Sequence, residues 1–300
     1  WNLGLNLTHY KNHISMLPDE RKTTTTTEGY KGYASSIFFL GEGLSMYTFY
    51  MPEYAGVYNK NTWQMTNDTK YDASKDGLSM WYTTGYQMTT KPDGTREVVK
   101  DTNGEKVESG KRATTTTHAE AKEYIVGRML PKVYGGFNTR VEFFGVDVTA
   151  DFAYQLGGKV YDSQYASFMS PANSTSRGFN IHEDALKSWS VSNQGSNLPR
   201  YQYNDTDASG TSSRFLTKGN YLSLQNLSVG YTLPASITRK AKIEKVRVYM
   251  NASNVWLWSA RRGLDPRTAM VESLNGKIGE SNASFYSTVR TISAGVNVTF

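Results

Sequence analysis

The amino-acid sequence predicts an all-β fold in which antiparallel strands cross a membrane as a segment of a β-barrel and are joined by long extracellular loops. Three features predict it: the alternation of apolar and polar residues, the length of the alternating segments, and the unequal lengths of their connections. The composition agrees with a strand-rich, loop-rich chain, because only 38% of the 300 residues are hydrophobic, whereas tyrosine (21) and glycine (26) are frequent.

Four segments alternate between an apolar and a polar face, as side chains do in a strand. These segments are residues 1–8, 144–155, 246–253 and 291–300. Strands of soluble proteins usually have about five or six residues, whereas a tilted strand of about nine to eleven residues crosses a bilayer. Residues 144–155 and 291–300 reach this length, and 1–8 and 246–253 are one residue shorter. Their apolar faces carry no charge, because Asp147, Asp151 and Arg247 lie on the opposite face, so we expect lipid on the apolar side.

Two further strands follow less regular patterns. Within 221–231 the apolar positions change parity after Leu224, and a β-bulge near Gln225-Asn226 would return them to one face. Another strand is expected within 123–134, although Pro131 would interrupt a central ladder there.

The connections alternate between long and short. Read backward from the C-terminus, they are 259–290, 232–245, 156–220, a tight turn at Gly135-Gly136, and 11–119. Long loops on one rim and short turns on the other are typical of outer-membrane barrels, whereas a jelly roll does not require this asymmetry. Aromatic residues at the strand ends fit the interfacial girdles of such barrels.

Composition also excludes several classes of function. Cysteine is absent, which removes disulfide scaffolds, thiolate metal sites and cysteine nucleophiles. No apolar run approaches the roughly 18 to 20 residues of a membrane-spanning helix. The net charge of +6 is spread along the chain without a run of like charges, so nucleic acid is not an expected partner. The chain opens at Trp1 without a signal sequence, and we expect it to be part of a longer protein.

Motifs for catalysis or metal binding are largely missing. No G-x-S-x-G, phosphate-loop or H-E-x-x-H motif occurs, and we predict that the chain is not an enzyme and holds no cofactor. His9 and His13 continue a strand, where four residues separate side chains by about 13 Å, too far to share a metal. Residues 205–210 match the start of a calcium loop, but Leu216 stands where a bidentate glutamate belongs. A solvated turn is the favoured interpretation, and calcium in an extracellular loop is the alternative.

Aromatic residues in the predicted loops are the candidates for ligand binding, because their rings can stack on sugars or on peptide side chains. They are Trp63, Trp81, Tyr82, Trp189, Tyr201 and Tyr203. Packing of the long loops against one another is the alternative use of such rings. Two threonine runs, 23–27 and 114–117, either pair as neighbouring strand extensions or form low-complexity loops.

Several segments, read in order, resemble one known family. The segment 221–234, YLSLQNLSVGYTLP, is similar to the region before the penultimate hairpin of SusC/RagA-type TonB-dependent outer-membrane transporters of Bacteroidetes-like bacteria. Residues 246–249 with Asn254, then 263–266, and the terminal strand continue the resemblance. The remaining similar segments are 131–137 and 6–12. Arg267 stands where the family usually has an acidic residue, so no role is assigned to that position.

The resemblance implies a barrel of about 22 strands filled by an N-terminal plug, of which residues 1–300, with about six strands, would be the C-terminal portion. The plug, the segment that binds the TonB complex and the signal peptide would lie outside this chain. A SusD-like surface lipoprotein is the implied partner at the outer mouth. Phe300 is implied as the aromatic end recognised during barrel assembly.

From the strands and the resemblance together we expect import of a nutrient, a glycan or a peptide, across the outer membrane of a Gram-negative, Bacteroidetes-like bacterium. The wall would contact outer-membrane lipid, and the loops would bind ligand without making or breaking bonds. The alternative is a secreted β-sandwich that binds carbohydrate as a lectin or adhesin. In a sandwich the apolar faces pack against a second sheet, whereas in a barrel they face lipid.

Overall fold

The computed structural model describes residues 1–172, 180–270, 280–281 and 288–300. The chain divides into two compact units. The first, which we call the wall unit, comprises 1–12, 128–160 and 217–300, and the second, the loop unit, comprises 13–127 and 161–216. Among the described residues, no helix has both the length and the apolar character that a membrane span requires.

The described secondary structure consists mainly of strands. In chain order they are β1 (Asn2–Thr8), β2 (Thr24–Thr25), β3 (Lys31–Ser35), β4 (Phe38–Gly41), β5 (Thr48–Pro52), β6 (Tyr54–Val57), β7 (Ser79–Tyr86), β8 (Met88–Thr90), β9 (Arg96–Val98), β10 (Glu108–Thr115), β11 (Glu123–Arg128), β12 (Val133–Phe143), β13 (Val146–Leu156), β14 (Lys159–Asp162), β15 (Leu216–Lys218), β16 (Tyr221–Thr232), β17 (Lys245–Ser259), β18 (Glu280–Ser281) and β19 (Thr291–Thr299). The described α-helices are α1 (Ser163–Met169) and α2 (Ala235–Thr238). Short 3₁₀ turns lie at Asp19–Arg21, Trp63–Met65, Ala73–Lys75, His118–Glu120, Glu183–Lys187, Asp207–Ser209, Ser213–Phe215, Arg239–Ala241 and Pro266–Met270.

The wall unit is built on a six-stranded antiparallel sheet in the order β1-β12-β13-β16-β17-β19. β12 and β13 have 11 residues each, β16 has 12, β17 has 15 and β19 has 9. These lengths match or exceed the roughly nine to eleven residues that cross a bilayer. The structure therefore confirms the predicted antiparallel, all-β fold.

The first hairpin of this sheet differs from the prediction. β12 passes into β13 at Phe144-Gly145, where φ is positive at both residues (47° and 82°), as in the two-residue turns that suit the twist of antiparallel strands. The predicted turn at Gly135-Gly136 is therefore wrong, because both glycines lie inside β12. The strand predicted within 123–134 is present as β11 (Glu123–Arg128), which ends before Pro131, but it belongs to another sheet than the six-stranded one.

Close packing explains why Gly135 lies in a strand. The side chain of Tyr154 in β13 crosses Gly135, and its hydroxyl donates to the carbonyl oxygen of Asn6 in β1 at 2.9 Å. A Cβ at position 135 would collide with the Asn6 backbone and would lie 2.9 Å from the Tyr154 hydroxyl. Glycine within a strand often marks such an approach, and the letters Gly-Gly alone do not distinguish it from a turn.

The predicted bulge in β16 is confirmed. Asn226 pairs with Asp151 and Leu224 pairs with Phe152, which leaves Gln225 as the extra residue. The additional residue reverses the parity of the strand. The apolar residues on both sides of the bulge consequently share one face of the sheet.

The apolar faces of the six strands form one exposed surface. Leu5 is 72% exposed, Met250 is 53% exposed and Val296 is 59% exposed. Other exposed members are Trp1, Leu3, Leu7, Val141, Phe143, Val146, Val229, Tyr231, Val248, Trp256, Trp258, Ile292 and Val298. Because an extensive exposed apolar patch marks contact with a membrane or another protein, this surface is unlike the buried inner face of a sandwich.

The loop unit has a hydrophobic core of its own. It contains a five-stranded sheet in the order β11-β5-β4-β3-β2, a three-stranded sheet in the order β10-β7-β6, and the β8-β9 hairpin. Its large fully buried side chains include Trp81, Tyr58, Phe39, Phe49, Phe215, Met51, Met80 and Met169. The part 13–127 thus contains these ordered sheets, whereas the described residues of 163–215 form α1 and 3₁₀ turns. The two threonine runs are ordered but do not pair with each other, because β2 pairs with β3 and β10 pairs with β7.

Candidate functional site

The polar face of the wall unit carries a largely buried ion pair. Arg247 in β17 donates from Nε to Asp147 Oδ1 at 2.9 Å and from Nη2 to Asp147 Oδ2 at 2.5 Å. Only 24% of the arginine side chain and 12% of the aspartate side chain are exposed. A two-point contact of this kind is a strong charge-assisted interaction. It ties β13 to β17 across the intervening strand β16.

Gly230 in β16 makes this crossing possible. It pairs with Asp147 on one side and with Tyr249 on the other, so it lies directly under the path of the arginine. A Cβ at position 230 would overlap the Arg247 guanidinium group. The ion pair therefore depends on three residues from three adjacent strands.

Two of the six predicted ligand-binding aromatics are covered by protein. Trp81 is 1% exposed and lies in the core of the loop unit, with its ring centroid 5.1 Å from that of His118. The guanidinium carbon of Arg112 lies 3.7 Å from the ring centroid of Tyr82. Trp81 therefore presents no surface to a ligand, and one face of Tyr82 is already occupied.

The other four aromatics lie elsewhere in the loop unit. Trp63 and Tyr201 are half-buried. Trp189 packs on Gly77 so closely that a Cβ there would lie 2.5 Å from the indole ring. Tyr203 is 51% exposed and is the most accessible of the six predicted rings.

A polar cavity of about 490 Å³ lies in the loop unit. Its lining residues are Asn67, Asp68, Lys75, Thr83, Thr84, Tyr86, Lys106, Thr114, Thr115, Thr116, Thr117 and Glu120. They come from β7, from the end of β10 and the two residues after it, from the segment after the 3₁₀ turn Trp63–Met65, and from the turns Ala73–Lys75 and His118–Glu120, with Lys106 from the segment before β10. Cavities of about 300 to 1,000 Å³ are typical of small-molecule sites, so this cavity is large enough for a ligand.

Part of the cavity lining is committed to the fold. The Asn67 side chain donates to the Thr84 carbonyl oxygen at 2.8 Å and accepts from the Tyr86 backbone N–H at 3.1 Å. The Thr115 hydroxyl donates to a carboxylate oxygen of Glu120 at 2.8 Å. These bonds fix the two sides of the cavity relative to β7 and β10.

Other polar groups in the cavity remain available. Within the part of the chain that the structure describes, the hydroxyl groups of Thr84, Thr116 and Thr117 make no hydrogen bond to protein. Each hydroxyl can donate one hydrogen bond and accept others. The cavity lining therefore offers a ligand several groups that can act as hydrogen-bond donor or acceptor.

Arg96 fixes the segment that forms one side of the cavity. Its guanidinium group donates to the carbonyl oxygens of Gln64 at 2.9 Å, Thr66 at 2.9 Å and Asp68 at 2.6 Å, and it lies 4.6 Å from the Trp63 ring centroid. Burial lowers the pKa of Arg96, but an arginine in a protein keeps its charge. The segment is therefore held in place independently of pH.

The predicted calcium segment forms a capped turn. Asp205 Oδ1 accepts from the Ala208 backbone N–H at 2.9 Å, and Asp207 Oδ1 accepts from the His118 backbone N–H at 2.8 Å. Among the residues that the structure describes, no group of three or more histidine, aspartate or glutamate side chains is arranged to hold a metal ion. The described carboxylate contacts are thus to backbone N–H groups, one within the turn and one at the separate turn His118–Glu120.

Sequence reasoning missed the cavity. The available signal is the run Thr114–Thr117, whose sequence alone indicates a strand extension or a low-complexity loop. The run begins in β10, where the buried hydroxyl of Thr114 lies 3.5 Å from the sulfur of Met80. It then leaves the strand, and its last two residues line the cavity. Four consecutive hydroxyl residues at a strand end were therefore informative.

Comparisons with known proteins indicate the class of the fold. No family model matches the sequence. TonB-dependent receptor P3 of Formosa agariphila is 27% identical over 305 residues, which cover 100% of this chain and 27% of the receptor. TonB-dependent receptor P26 of the same organism is 25% identical over 179 residues, which cover 59% of this chain and 18% of that receptor. The chain thus spans roughly a quarter or less of the length of these relatives.

Solved structures of RagAB share the fold. The RagAB peptide transporter matches with a TM-score of 0.65 and 19% identity, over 99% of this chain and 27% of that chain. The RagAB peptide importer matches with a TM-score of 0.62 in its 'open-open' state, at 19% identity, and in its 'closed-closed' state, at 21% identity. These matches cover 99% of this chain and 26% and 27% of the respective chains. The fold is that of part of a RagA-type transporter, which confirms the resemblance to SusC/RagA-type TonB-dependent transporters.

Proposed function

We propose that the chain forms part of the wall and the extracellular loops of an outer-membrane transporter that imports a nutrient, a glycan or a peptide. The observation that carries this proposal is the six-stranded sheet of the wall unit. One face is apolar and exposed, while the other is polar and holds the Asp147–Arg247 pair. Such a sheet is stable between hydrocarbon and water. The names of the relatives, two receptors and a peptide transporter, support import rather than enzymatic catalysis.

The proposed partners follow from the same resemblance. Energy would come from the TonB complex through a region outside these residues, and a SusD-like lipoprotein would close the outer mouth. The proposed location is the outer membrane of a Bacteroidetes-like bacterium, which the source of the curated relatives supports. Phe300, 88% exposed after the end of β19, is proposed as the barrel-assembly signal. Tyr203 remains the most accessible of the proposed aromatic ligand contacts.

The secreted sandwich is disfavoured by the exposed apolar face. A sandwich buries the inner faces of its two sheets against each other. Here the apolar side chains of both edge strands and of the central strands are exposed, as Leu5, Val229 and Val296 show.

A pair of neighbouring substitutions tests which face meets lipid. Met250 lies on the exposed apolar face of β17, and Asn251 lies on the opposite face. Met250→Arg in the full-length protein is expected to reduce the amount of folded protein in the outer-membrane fraction, because arginine at the lipid midplane costs about 2–4 kcal/mol. Asn251→Arg is the matched control and should assemble normally. Equal loss for both variants would contradict the proposed orientation.

Import itself is tested in cells. Cells carrying the full-length protein should take up a labelled oligosaccharide or peptide from a defined panel, and this uptake should disappear when TonB is deleted. Uptake that persists without TonB, or the absence of any difference between cells with and without the protein, would overturn the transport proposal.

A further inference from the structure

We propose that the polar cavity of the loop unit is a binding site for a neutral, polyhydroxylated ligand, namely a sugar ring or a short oligosaccharide. The biological role of this site rests on the proposed import function, because the inference names the chemical class of the cargo. The physical claim concerns only binding, and it follows from the groups that line the cavity.

The first argument is the kind of hydrogen-bonding group that the cavity leaves available. Thr84, Thr116 and Thr117 each present a hydroxyl without a described protein partner. A hydroxyl both donates and accepts hydrogen bonds. Each threonine can therefore pair with a sugar hydroxyl that acts either as donor or as acceptor. The carboxylate of Glu120 adds an acceptor and the ammonium group of Lys106 adds a donor at the same cavity.

The second argument is the balance of charge. The lining contains two carboxylates, Asp68 and Glu120, and two ammonium groups, Lys75 and Lys106. Asp68 and Lys75 already form an ion pair at 2.9 Å. The remaining pair of charges is equal and opposite, so the cavity offers no net attraction to an anionic or a cationic ligand. This balance favours a neutral ligand.

The third argument is the scarcity of exposed apolar surface in the lining. Peptides are commonly recognised through sheet edges or apolar pockets for their side chains. Two large apolar residues of β7 neighbour lining residues, since Met80 contacts Thr114 and Trp81 pairs with Thr115, but they are only 0% and 1% exposed. The ammonium group of Lys106 lies over the ring of Tyr86, 5.2 Å from the ring centroid. A peptide side chain would therefore gain little apolar contact here.

The fourth argument is that the cavity is held in place before a ligand arrives. Arg96 fixes the segment 64–68 through three carbonyl oxygens, and Asn67 joins this segment to the backbone of β7. A preorganised site avoids part of the entropy cost of binding. Arg96 and Asn67 are therefore positioning residues, and the threonine hydroxyls are the ligand contacts.

The experiment uses the purified full-length protein in detergent. Binding of three probe classes is measured by calorimetry: neutral hexasaccharides of glucose, mannose and xylose, a hexasaccharide of uronic acids, and an uncharged hexapeptide. At least one neutral hexasaccharide is expected to bind. The double substitution Thr116→Val and Thr117→Val removes two hydroxyls while keeping the side-chain shape, and it should weaken binding by about tenfold, or about 1.4 kcal/mol, because two hydrogen bonds are lost.

The matched control lies in the other threonine run. Thr24 and Thr25 in β2 are outside the cavity lining, and Thr24→Val with Thr25→Val should leave affinity unchanged. Both double variants must show the wild-type thermal unfolding transition; if the cavity variant does not, Thr84→Val replaces it. The proposal is overturned if no neutral hexasaccharide binds, if binding is insensitive to the cavity substitutions, or if the peptide or the uronate binds there instead. The calorimetric experiment uses purified protein and no energised membrane. A failure to bind would therefore not change the result of the uptake experiment, and a failure of TonB-dependent uptake would not change the binding result.

Discussion

The wall unit and the loop unit place the same kinds of residue in opposite environments. Trp256 in the wall unit is 48% exposed, whereas Trp81 in the loop unit is 1% exposed. The loop unit therefore folds around its apolar side chains, as soluble proteins do, while the wall unit displays them. The hydrophobic fraction of 38% is an average over both units. This average alone does not show that one unit buries its apolar side chains and the other exposes them.

The largest expected effect separates the two tryptophans. Trp81→Ala should destabilise the loop unit by about 3–5 kcal/mol, because it leaves a large cavity in a packed core. Trp256→Ala in detergent should change stability by less than about 1 kcal/mol, because the removed ring is half exposed. Denaturant unfolding of the full-length protein, combined with limited proteolysis of each unit, measures both. Similar losses for the two variants would show that the units do not differ as described.

A smaller effect is expected at the ion pair of the wall unit. Removing one partner of a buried pair costs about 3–5 kcal/mol, and we expect about 2–3 kcal/mol for Arg247→Met because both side chains remain slightly exposed. Gly230→Ala should also destabilise the protein, since the new methyl group displaces the guanidinium group.

The double variant Asp147→Leu with Arg247→Met is the control for the ion pair. It should recover part of the loss, because no unpaired charge is left behind. Denaturant midpoints in detergent supply the thermodynamic cycle. A double variant as unstable as the sum of the two single variants would show that the pair contributes nothing as a pair.

The smallest effect is a pH dependence confined to the loop unit. Burial raises the pKa of Tyr54 to about 12, and its hydroxyl donates to the Asn197 carbonyl oxygen at 2.8 Å. The unfolded value is about 10. Because the folded pKa is the higher one, this contribution to stability is complete below about pH 10 and is lost as the pH rises toward about 12. We expect a loss of about 1–2 kcal/mol, since the ring is half-buried.

Tyr54→Phe isolates this titration. The variant lacks the ionisable group, so its free energy of unfolding should depend less on pH above about 10 than that of the wild type. Carbon-13 labelling of tyrosine reports the titration directly by NMR. A Tyr54 resonance that titrates near the ordinary value of tyrosine would contradict the assignment.

The wall unit was the more predictable region. The period-two alternation in 146–155 and 246–253, together with the parity change after Leu224, was sufficient to predict membrane-length strands and the bulge at Gln225. This success has a physical reason, since a sheet with one apolar and one polar face imposes alternation on every residue. The role of glycine was the exception. Gly135 lies inside a strand because the Tyr154 side chain crosses it, whereas glycine in a turn is required for its backbone conformation, and the sequence does not distinguish the two uses.

The loop unit was predictable only in outline. Its length was evident, and its aromatic residues were noted as ligand contacts or packing groups. Trp81 turned out to be a core residue, and the cavity emerged from contacts such as that of Asn67 with Thr84. These contacts join segments far apart in the sequence, and local patterns do not specify which segments meet. The threonine run 114–117 was visible, but its role depended on where β10 ends.

The separate core of the loop unit has a consequence for how such proteins diversify. A unit with its own core can change its outer side chains one by one, while the strands of the wall unit keep the same composition. Under the proposed function, selection for a new ligand and selection for membrane insertion would then act on different stretches of the gene.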